Sequence, residues 1–148
     1  MAPDTHMSAP SHPAPHRERI EPLMLVFPVL APVLAWSVHL LVNFSLSSHA
    51  CYPGSMPLQS PTAGFGWIRV ILIIVDLVAM AICAGAGAVA WRSWKISGEE
   101  LAETGSPLME MGEGRTRFVA IWGVFIGAGF FIAIFFDFVG LWVLPICG

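Results

Sequence analysis

Charged residues are scarce in this chain. Only 11% of its 148 residues are Asp, Glu, Lys or Arg, against about a quarter in an ordinary soluble domain. Hydrophobic residues make up 56% of the chain, and its mean hydropathy is +0.74. This composition excludes a soluble globular protein, and the length leaves no room for a separate soluble catalytic unit beside one small domain.

Basic residues and cysteines are also few. The net charge of −3 offers no basic footprint for binding nucleic acid. Three cysteines are too few for a disulfide scaffold, and they lack the CxxC spacing of zinc and redox sites. Any pairing between them must therefore be argued from their positions.

The first 21 residues lack an apolar run and hold four of the twelve prolines and three histidines. Such a segment cannot bury enough surface to offset its chain entropy, so residues 1–21 are predicted to be a disordered tail. The apolar stretch that follows is about 25 residues long and has no small-residue cleavage site after it, which is unlike a signal peptide.

Three apolar segments follow the tail, at about 23–47, 67–91 and 118–146. Each is long enough to cross about 30 Å of hydrocarbon as a helix. The sequence therefore predicts an all-α integral membrane protein with one three-helix membrane domain, residues 22–148. Pro28 and Pro32 predict a kink or a tilt in the first span. Residues 98–104, after the second span, fit a short surface helix or a solvated loop equally well.

Basic residues outside the spans predict the orientation, because cytoplasmic loops are enriched in Lys and Arg. The connection at 48–66 contains none of them. The six Lys and Arg residues outside the spans all flank the opposite ends: Arg17, Arg19, Arg92, Lys95, Arg115 and Arg117. We therefore expect a multi-pass protein of the bacterial inner membrane, with the N-terminus cytoplasmic and the C-terminus periplasmic.

Two of the cysteines lie just past the outer ends of spans. Cys51 follows the first span and Cys147 the third, so the topology places both at one membrane face in an oxidising compartment. A disulfide between them is predicted; the alternative is two unpaired thiols with Cα atoms more than about 7 Å apart. Cys83 lies mid-membrane among Ala and Gly and is expected to be an inert packing residue.

Polar residues inside the spans fall at one depth. His39, Asp76 and Asp137 each lie about nine or ten residues from the outer end of a span, or roughly 13 to 15 Å deep. Asn43 follows His39 by one helical turn, and Arg69 could snorkel outward or pair with an acid. The sequence therefore predicts a polar membrane layer that consists of His39, Asn43, Arg69, Asp76 and Asp137.

This layer has three interpretations, because charge in a membrane usually faces protein or water. It could be an internal hydrogen-bonded cluster, a contact with a partner's polar groups, or a proton-transfer path. Haem is disfavoured, since His39 lacks a second axial histidine within the membrane. Copper is a further alternative, because His49, Cys51 and Met56 are soft ligands, although their spacing is irregular. The predicted disulfide would also compete for Cys51. No cofactor, metal site or catalytic residue is assigned.

Small residues recur every four positions in two spans. Ala79, Cys83 and Gly87 follow one side of the second span, and Gly123 and Gly127 form a GxxxG motif in the third. Such spacing lets helix backbones approach closely, so both sides are predicted to contact helices of this chain or of a neighbour. Phenylalanines surround most of the third span and suit lipid or a membrane partner: Phe125, Phe130, Phe131, Phe135, Phe136 and Phe138.

One run of about 20 residues, PVLAWSVHLLVNFSLSSHAC, resembles a pattern found in other membrane proteins. Its Pro32, Trp36, His39 and Ala50 with Cys51 follow a pattern of a Gly or Pro, an aromatic, a His three residues later and a closing Ala-Cys pair. In this the chain resembles small three-span bacterial membrane proteins encoded near haem–copper terminal oxidases. The resemblance implies an accessory or assembly role beside an oxidase and supplies no catalytic residue.

These observations lead us to expect a non-enzymatic accessory subunit of a bacterial energy-converting membrane complex, foremost a respiratory terminal oxidase. Its partners would be lipid and the complex's core subunits, which it would stabilise through helix packing at Trp36, His39, Asn43 and the phenylalanines of the third span. No nucleic acid or small-molecule substrate is expected. The alternatives are a copper-handling or assembly factor, a small proton-coupled membrane protein, and an accessory subunit of a photosynthetic complex.

Overall fold

Three long helices form the described part of the protein. The computed structural model describes residues 22–54, 56–104 and 113–147, and the predicted tail at 1–21 lies outside them. The helices are α1 (Pro22–Cys51), α2 (Ile68–Thr104) and α3 (Glu113–Val143). Each contains a segment long and apolar enough to cross a membrane: Leu23–Cys51, Ile68–Ile96 and Arg117–Val143. The architecture is all-helical and suits a multi-pass membrane protein.

The helix ends differ from the predicted spans for local reasons. α1 continues to Cys51 with Pro28 and Pro32 inside it, and both prolines are almost fully buried. α2 continues without a break through 98–104, where Glu, Leu and Ala favour helix and outweigh a single glycine. α3 ends at Val143, before the predicted position 146, because a residue that precedes a proline, here Leu144 before Pro145, disfavours helical geometry.

Two glycines let α3 approach its neighbours closely. A Cβ atom on Gly123 would lie 2.9 Å from the Cβ of Pro28 and 3.0 Å from that of Ala90. A Cβ atom on Gly127 would lie 3.1 Å from the Cys83 carbonyl oxygen and from the Gly87 Cα. All four distances are tighter than ordinary van der Waals contact, so a larger residue at either position would force its neighbours to shift.

The other small residues predicted to pack lie at the same contacts. Ala79 and Cys83 are buried, and both belong to an apolar cluster with Met80 and Ile134. Gly87 meets Gly127 backbone to backbone. The small-residue side of α2 therefore faces α3 of the same chain.

Cys51 and Cys147 close one end of the bundle, which we call the disulfide end: the C-terminal ends of α1 and α3 and the start of α2. Their Cα atoms are 5.4 Å apart, and their sulfurs are placed as a disulfide. Ala50, Ile68 and Leu72 pack around the pair. The connection between α1 and α2 folds back on this end, where the Leu58 N–H donates to the Cys51 carbonyl and the Thr62 N–H to the Ala50 carbonyl.

The opposite end of the membrane segments carries basic and tryptophan side chains, and we call it the basic end. The rings of Trp91 and Trp94 are 4.9 Å apart. Lys95 Nζ lies 5.8 Å from the Trp91 ring centre, and the Arg117 guanidinium lies 5.7 Å from that of Trp94. Such cation–π contacts fix cations beside amphipathic rings, which is an arrangement suited to a membrane surface.

Candidate functional site: a polar cluster between the three helices

One residue or pair from each helix forms a polar cluster inside the bundle. His39 and Asn43 lie one turn apart on α1, Asp76 lies on α2, and Asp137 lies on α3. His39 and Asp76 are fully buried at the side chain. Four of the five residues predicted to form the polar layer are therefore brought together, in what we call the polar cluster.

The central contact joins α1 to α2. His39 Nε2 lies 2.8 Å from Asp76 Oδ1, and the Asn43 amide nitrogen donates to the same carboxylate oxygen at 3.1 Å. The amide nitrogen also lies 3.0 Å from His39 Nε2. A contact of 2.8 Å between nitrogen and oxygen requires one proton between them, on Nε2 when the imidazole donates to a carboxylate and on Oδ1 when a protonated carboxyl donates to the ring.

Three buried polar atoms of the cluster lack a hydrogen-bond partner: His39 Nδ1, Asn43 Oδ1 and Asp76 Oδ2. Buried polar groups in proteins are mostly satisfied, and each exception needs an explanation. The cluster therefore retains one ring nitrogen, one amide oxygen and one carboxylate oxygen that a proton, a water molecule or another group could engage.

Asp137 differs from the rest of the cluster. Its Oδ2 lies 3.7 Å from His39 Nε2, which is beyond hydrogen-bond distance, and 52% of its side chain is exposed on the outside of the bundle. It faces His39 and also lies near the Asp76 carboxylate, which repels it. The carboxylate thus lies at the edge of the cluster with most of its bonding capacity unused.

Arg69, the fifth predicted residue, lies apart from the cluster. Its Nη2 donates to the Leu144 carbonyl oxygen at 3.4 Å, beyond the last turn of α3. The sequence left two alternatives for Arg69, snorkelling outward or pairing with an acid. In the structure Arg69 extends outward. Arg69 belongs to the disulfide end, where it serves a carbonyl that the helix leaves unsatisfied.

An apolar groove of about 500 Å³ runs along the outside of α1 and α2 beside the cluster. Its walls include Ala31, Ala35, Val42 and Ala79, and His39 is the only polar residue that lines it. The small side chains of these alanines leave the space open between the two helices. Nothing in the spacing of the sequence alone identifies this groove, because its walls come from two helices.

The aromatic residues expected to meet a partner divide into two groups. Trp36 turns toward α3, with its ring 5.3 Å from that of Phe130, and Phe130 and Phe138 pack against the apolar core. His39, also expected to face a partner, is buried instead because it pairs with Asp76. The exposed phenylalanines of α3 within the predicted set are Phe125, Phe131, Phe135 and Phe136.

One of the residues considered as copper ligands, Cys51, is not available to bind a metal. The Cys51 sulfur is placed in the disulfide, so it is not a free thiolate. His49 is exposed, with its Nδ1 3.1 Å from the Ser45 carbonyl oxygen. Within the described ranges, no group of three or more His, Cys, Asp or Glu side chains is arranged to hold a metal ion.

A row of small residues on α3 beside Asp137 was not predicted from the sequence as a contact surface. Ala133 precedes Asp137 by one turn, and Gly129 and Gly140 fall on the same side of α3. A Cβ atom added to either glycine would meet nothing within 4 Å, in contrast to Gly123 and Gly127. The spacing of four residues between small side chains could have indicated this row. Spacing alone, however, does not distinguish a surface that already contacts a helix of this chain from a surface that is open.

Comparisons with protein-family models, with curated proteins and with solved structures find no match to this chain.

Proposed function

We propose that this chain is a non-catalytic accessory subunit of a bacterial energy-converting membrane complex, and that it stabilises the core subunits by helix packing. The resemblance around Trp36, His39 and Cys51 makes a respiratory terminal oxidase the first candidate for that complex. The observation that carries the proposal is the outer surface of α3, which presents large aromatic side chains around a half-exposed carboxylate.

Aromatic residues dominate that surface. Trp122, Phe125, Phe136 and Trp142 all have at least half of their side chains exposed. In lipid the hydrophobic effect does not drive helices together, so association depends on close packing and on polar contacts between helices. A surface with large rings and one carboxylate offers a partner helix both kinds of contact, whereas lipid alone satisfies only the rings.

The contacts between the three helices also support the proposal. The disulfide fastens α1 to α3, the His39–Asp76 contact joins α1 to α2, and Gly127 meets α2 backbone to backbone. These three contacts use residues of this chain alone. A bundle that holds its own shape is suited to present a fixed surface to a larger assembly.

The proposal includes an orientation. Cytoplasmic loops carry the excess of Lys and Arg, so the basic end with Arg92, Lys95 and Arg117 would face the cytoplasm. The disulfide end would then face the periplasm, where oxidising conditions maintain a Cys51–Cys147 bond. This orientation puts the N-terminus inside and the C-terminus outside the bacterial inner membrane.

Purification from the native membrane tests the proposal. The tagged chain, extracted in a mild detergent, is expected to bring core subunits with it in native mass spectrometry, and an oxidase would show haem bands in the absorption spectrum. A chain that elutes without any other subunit would overturn the proposal, and a complex with chlorophyll-type bands would replace the oxidase with a photosynthetic assembly.

A matched pair of phenylalanines makes the test specific to α3. Phe136 on α3 is 69% exposed, and Phe44 on α1 is 73% exposed. We expect Phe136→Ala to reduce the recovered core subunits and Phe44→Ala to leave them unchanged. Equal losses in both variants would show that α3 is not the docking surface.

A further inference from the structure

Asp137 is a carboxylate on the outside of a membrane helix. It lies six residues before the end of α3, which places it about 9 Å from that end along the helix axis. About half of its side chain is exposed, His39 lies 3.7 Å away, beyond hydrogen-bond distance, and the nearby Asp76 carboxylate repels it. Lipid tails have no hydrogen-bond donors, so a carboxylate at this depth requires a donor from protein or water.

The surroundings of Asp137 leave room for another helix. Gly129, Ala133 and Gly140 lie on its side of α3, and the space above both glycines is empty to at least 4 Å. Small residues at such spacing allow a second helix to approach the backbone closely. The approach would bring a side chain of that helix to the exposed carboxylate.

We propose that Asp137 anchors a transmembrane helix of a partner subunit through an arginine or lysine of that helix. The inference rests on the proposed accessory function and deepens it by naming the chemistry of the partner. A cationic side chain neutralises the charge of the Asp137 carboxylate and supplies several N–H donors at once. An arginine can bind both carboxylate oxygens.

A second copy of this chain does not meet that requirement. Copies inserted in one membrane have the same orientation, so a twofold contact through this side of α3 would set Asp137 against Asp137, and like charges repel. His39 lies at this depth, but it is 3.7 Å away and is held by Asp76. The described Lys and Arg side chains lie at other depths: Arg69 at the disulfide end, and Arg92, Lys95 and Arg117 at the basic end. We therefore assign the cation to a different chain.

Three variants test the anchor in the complete chain, purified from its native membrane. Asp137→Leu removes the carboxylate, Asp137→Glu keeps it, and Phe44→Ala is the control for an exposed residue on another helix. We expect Asp137→Leu to lower the recovered partner by about tenfold or more, a change equivalent to about 1.4 kcal/mol. Asp137→Glu should retain much of the recovery, and Phe44→Ala should match the wild type.

Cross-linking identifies the chemistry of the partner. Phe136 replaced by photoreactive benzoylphenylalanine, beside an intact Asp137, should cross-link to a transmembrane peptide with an Arg or Lys within one helical turn of the attachment site. Replacing that cation by Leu in the partner should then lower recovery as Asp137→Leu does. A cross-link to lipid only, to a second copy of this chain, or to a segment without a cation would overturn the inference.

The controls separate this inference from the proposed function. A wild-type chain that recovers no subunit overturns both. A partner that is retained equally by Asp137→Leu overturns the anchor and leaves the accessory function standing. Formation of the Cys51–Cys147 disulfide in each variant, measured by non-reducing mass analysis, shows that a loss of partner does not reflect a misfolded bundle.

Discussion

His39 Nε2 lies 2.8 Å from Asp76 Oδ1, and both side chains are fully buried. The contact joins α1 to α2 at a single depth, because His39 and Asn43 of α1 both contact the same oxygen of Asp76 on α2. A misaligned pair of helices would leave a carboxylate and an imidazole unpaired in hydrocarbon. The polar cluster therefore sets the axial alignment of α1 and α2.

The first prediction concerns the buried pair. Asp76→Leu leaves His39 and Asn43 without their shared acceptor, and we expect it to destabilise the bundle by about 1–2 kcal/mol, the range of hydrogen bonds between membrane helices. The loss would rise to about 3–5 kcal/mol if the pair is ionic. Unfolding in mixed micelles with increasing SDS, followed by circular dichroism, measures the change.

The double variant His39→Leu with Asp76→Leu serves as the control for this pair. It removes both partners, so we expect it to be more stable than Asp76→Leu alone. Additive losses from the two single substitutions would show that the two residues do not act as a pair.

The second prediction concerns glycine at the α2–α3 contact. Gly127→Ala would place a Cβ atom 3.1 Å from backbone atoms of α2, which cannot move aside as a side chain would. We expect a loss of about 1–3 kcal/mol from overpacking. Gly85→Ala on α2 is the matched control, since its Cβ atom would meet nothing within 4 Å. The same SDS titration compares them, and an equal response of both variants would contradict the close contact.

The third prediction concerns the cysteines. Denatured protein alkylated without reductant should gain one adduct, at Cys83, and after reduction it should gain three. Intact-mass measurement reads both numbers directly. Three adducts without reductant would show that Cys51 and Cys147 are unpaired in the native protein.

The disulfide should also stabilise the bundle, by less than the chain-entropy estimate. For a loop of nearly a hundred residues that estimate is about 4–5 kcal/mol. Membrane insertion already confines the helices in the unfolded reference state, so we expect Cys51→Ser with Cys147→Ser to lose only part of it. A loss equal to the full estimate would indicate that the membrane does not restrict the unfolded chain.

The fourth prediction concerns orientation. Ser60→Cys lies in the exposed connection at the disulfide end, and Lys95→Cys lies at the basic end. A membrane-impermeant maleimide applied to intact spheroplasts should label Ser60→Cys at once and Lys95→Cys only after the membrane is opened. The reverse pattern would place the basic end outside and contradict the orientation inferred from Lys and Arg.

The sequence alone determined the features that depend on distance along one helix. The lengths of the three apolar runs predict three membrane helices, because each residue adds about 1.5 Å. The same arithmetic places His39, Asp76 and Asp137 at one depth, and the order of the spans brings Cys51 and Cys147 to one end. These inferences need no knowledge of which sides of the helices meet.

The tertiary structure alone decided how each helix is rotated about its axis. Asp76 and Asp137 are the same residue type at the same depth, yet one is fully buried and the other half exposed. A Cβ atom added to Gly127 would meet the backbone of α2, whereas one added to Gly129, two residues later, would meet nothing within 4 Å. Helices that are apolar on every side carry no stripe that marks the interior. Their rotation follows instead from contacts between residues far apart in the chain, such as His39 with Asp76 and Gly127 with Gly87.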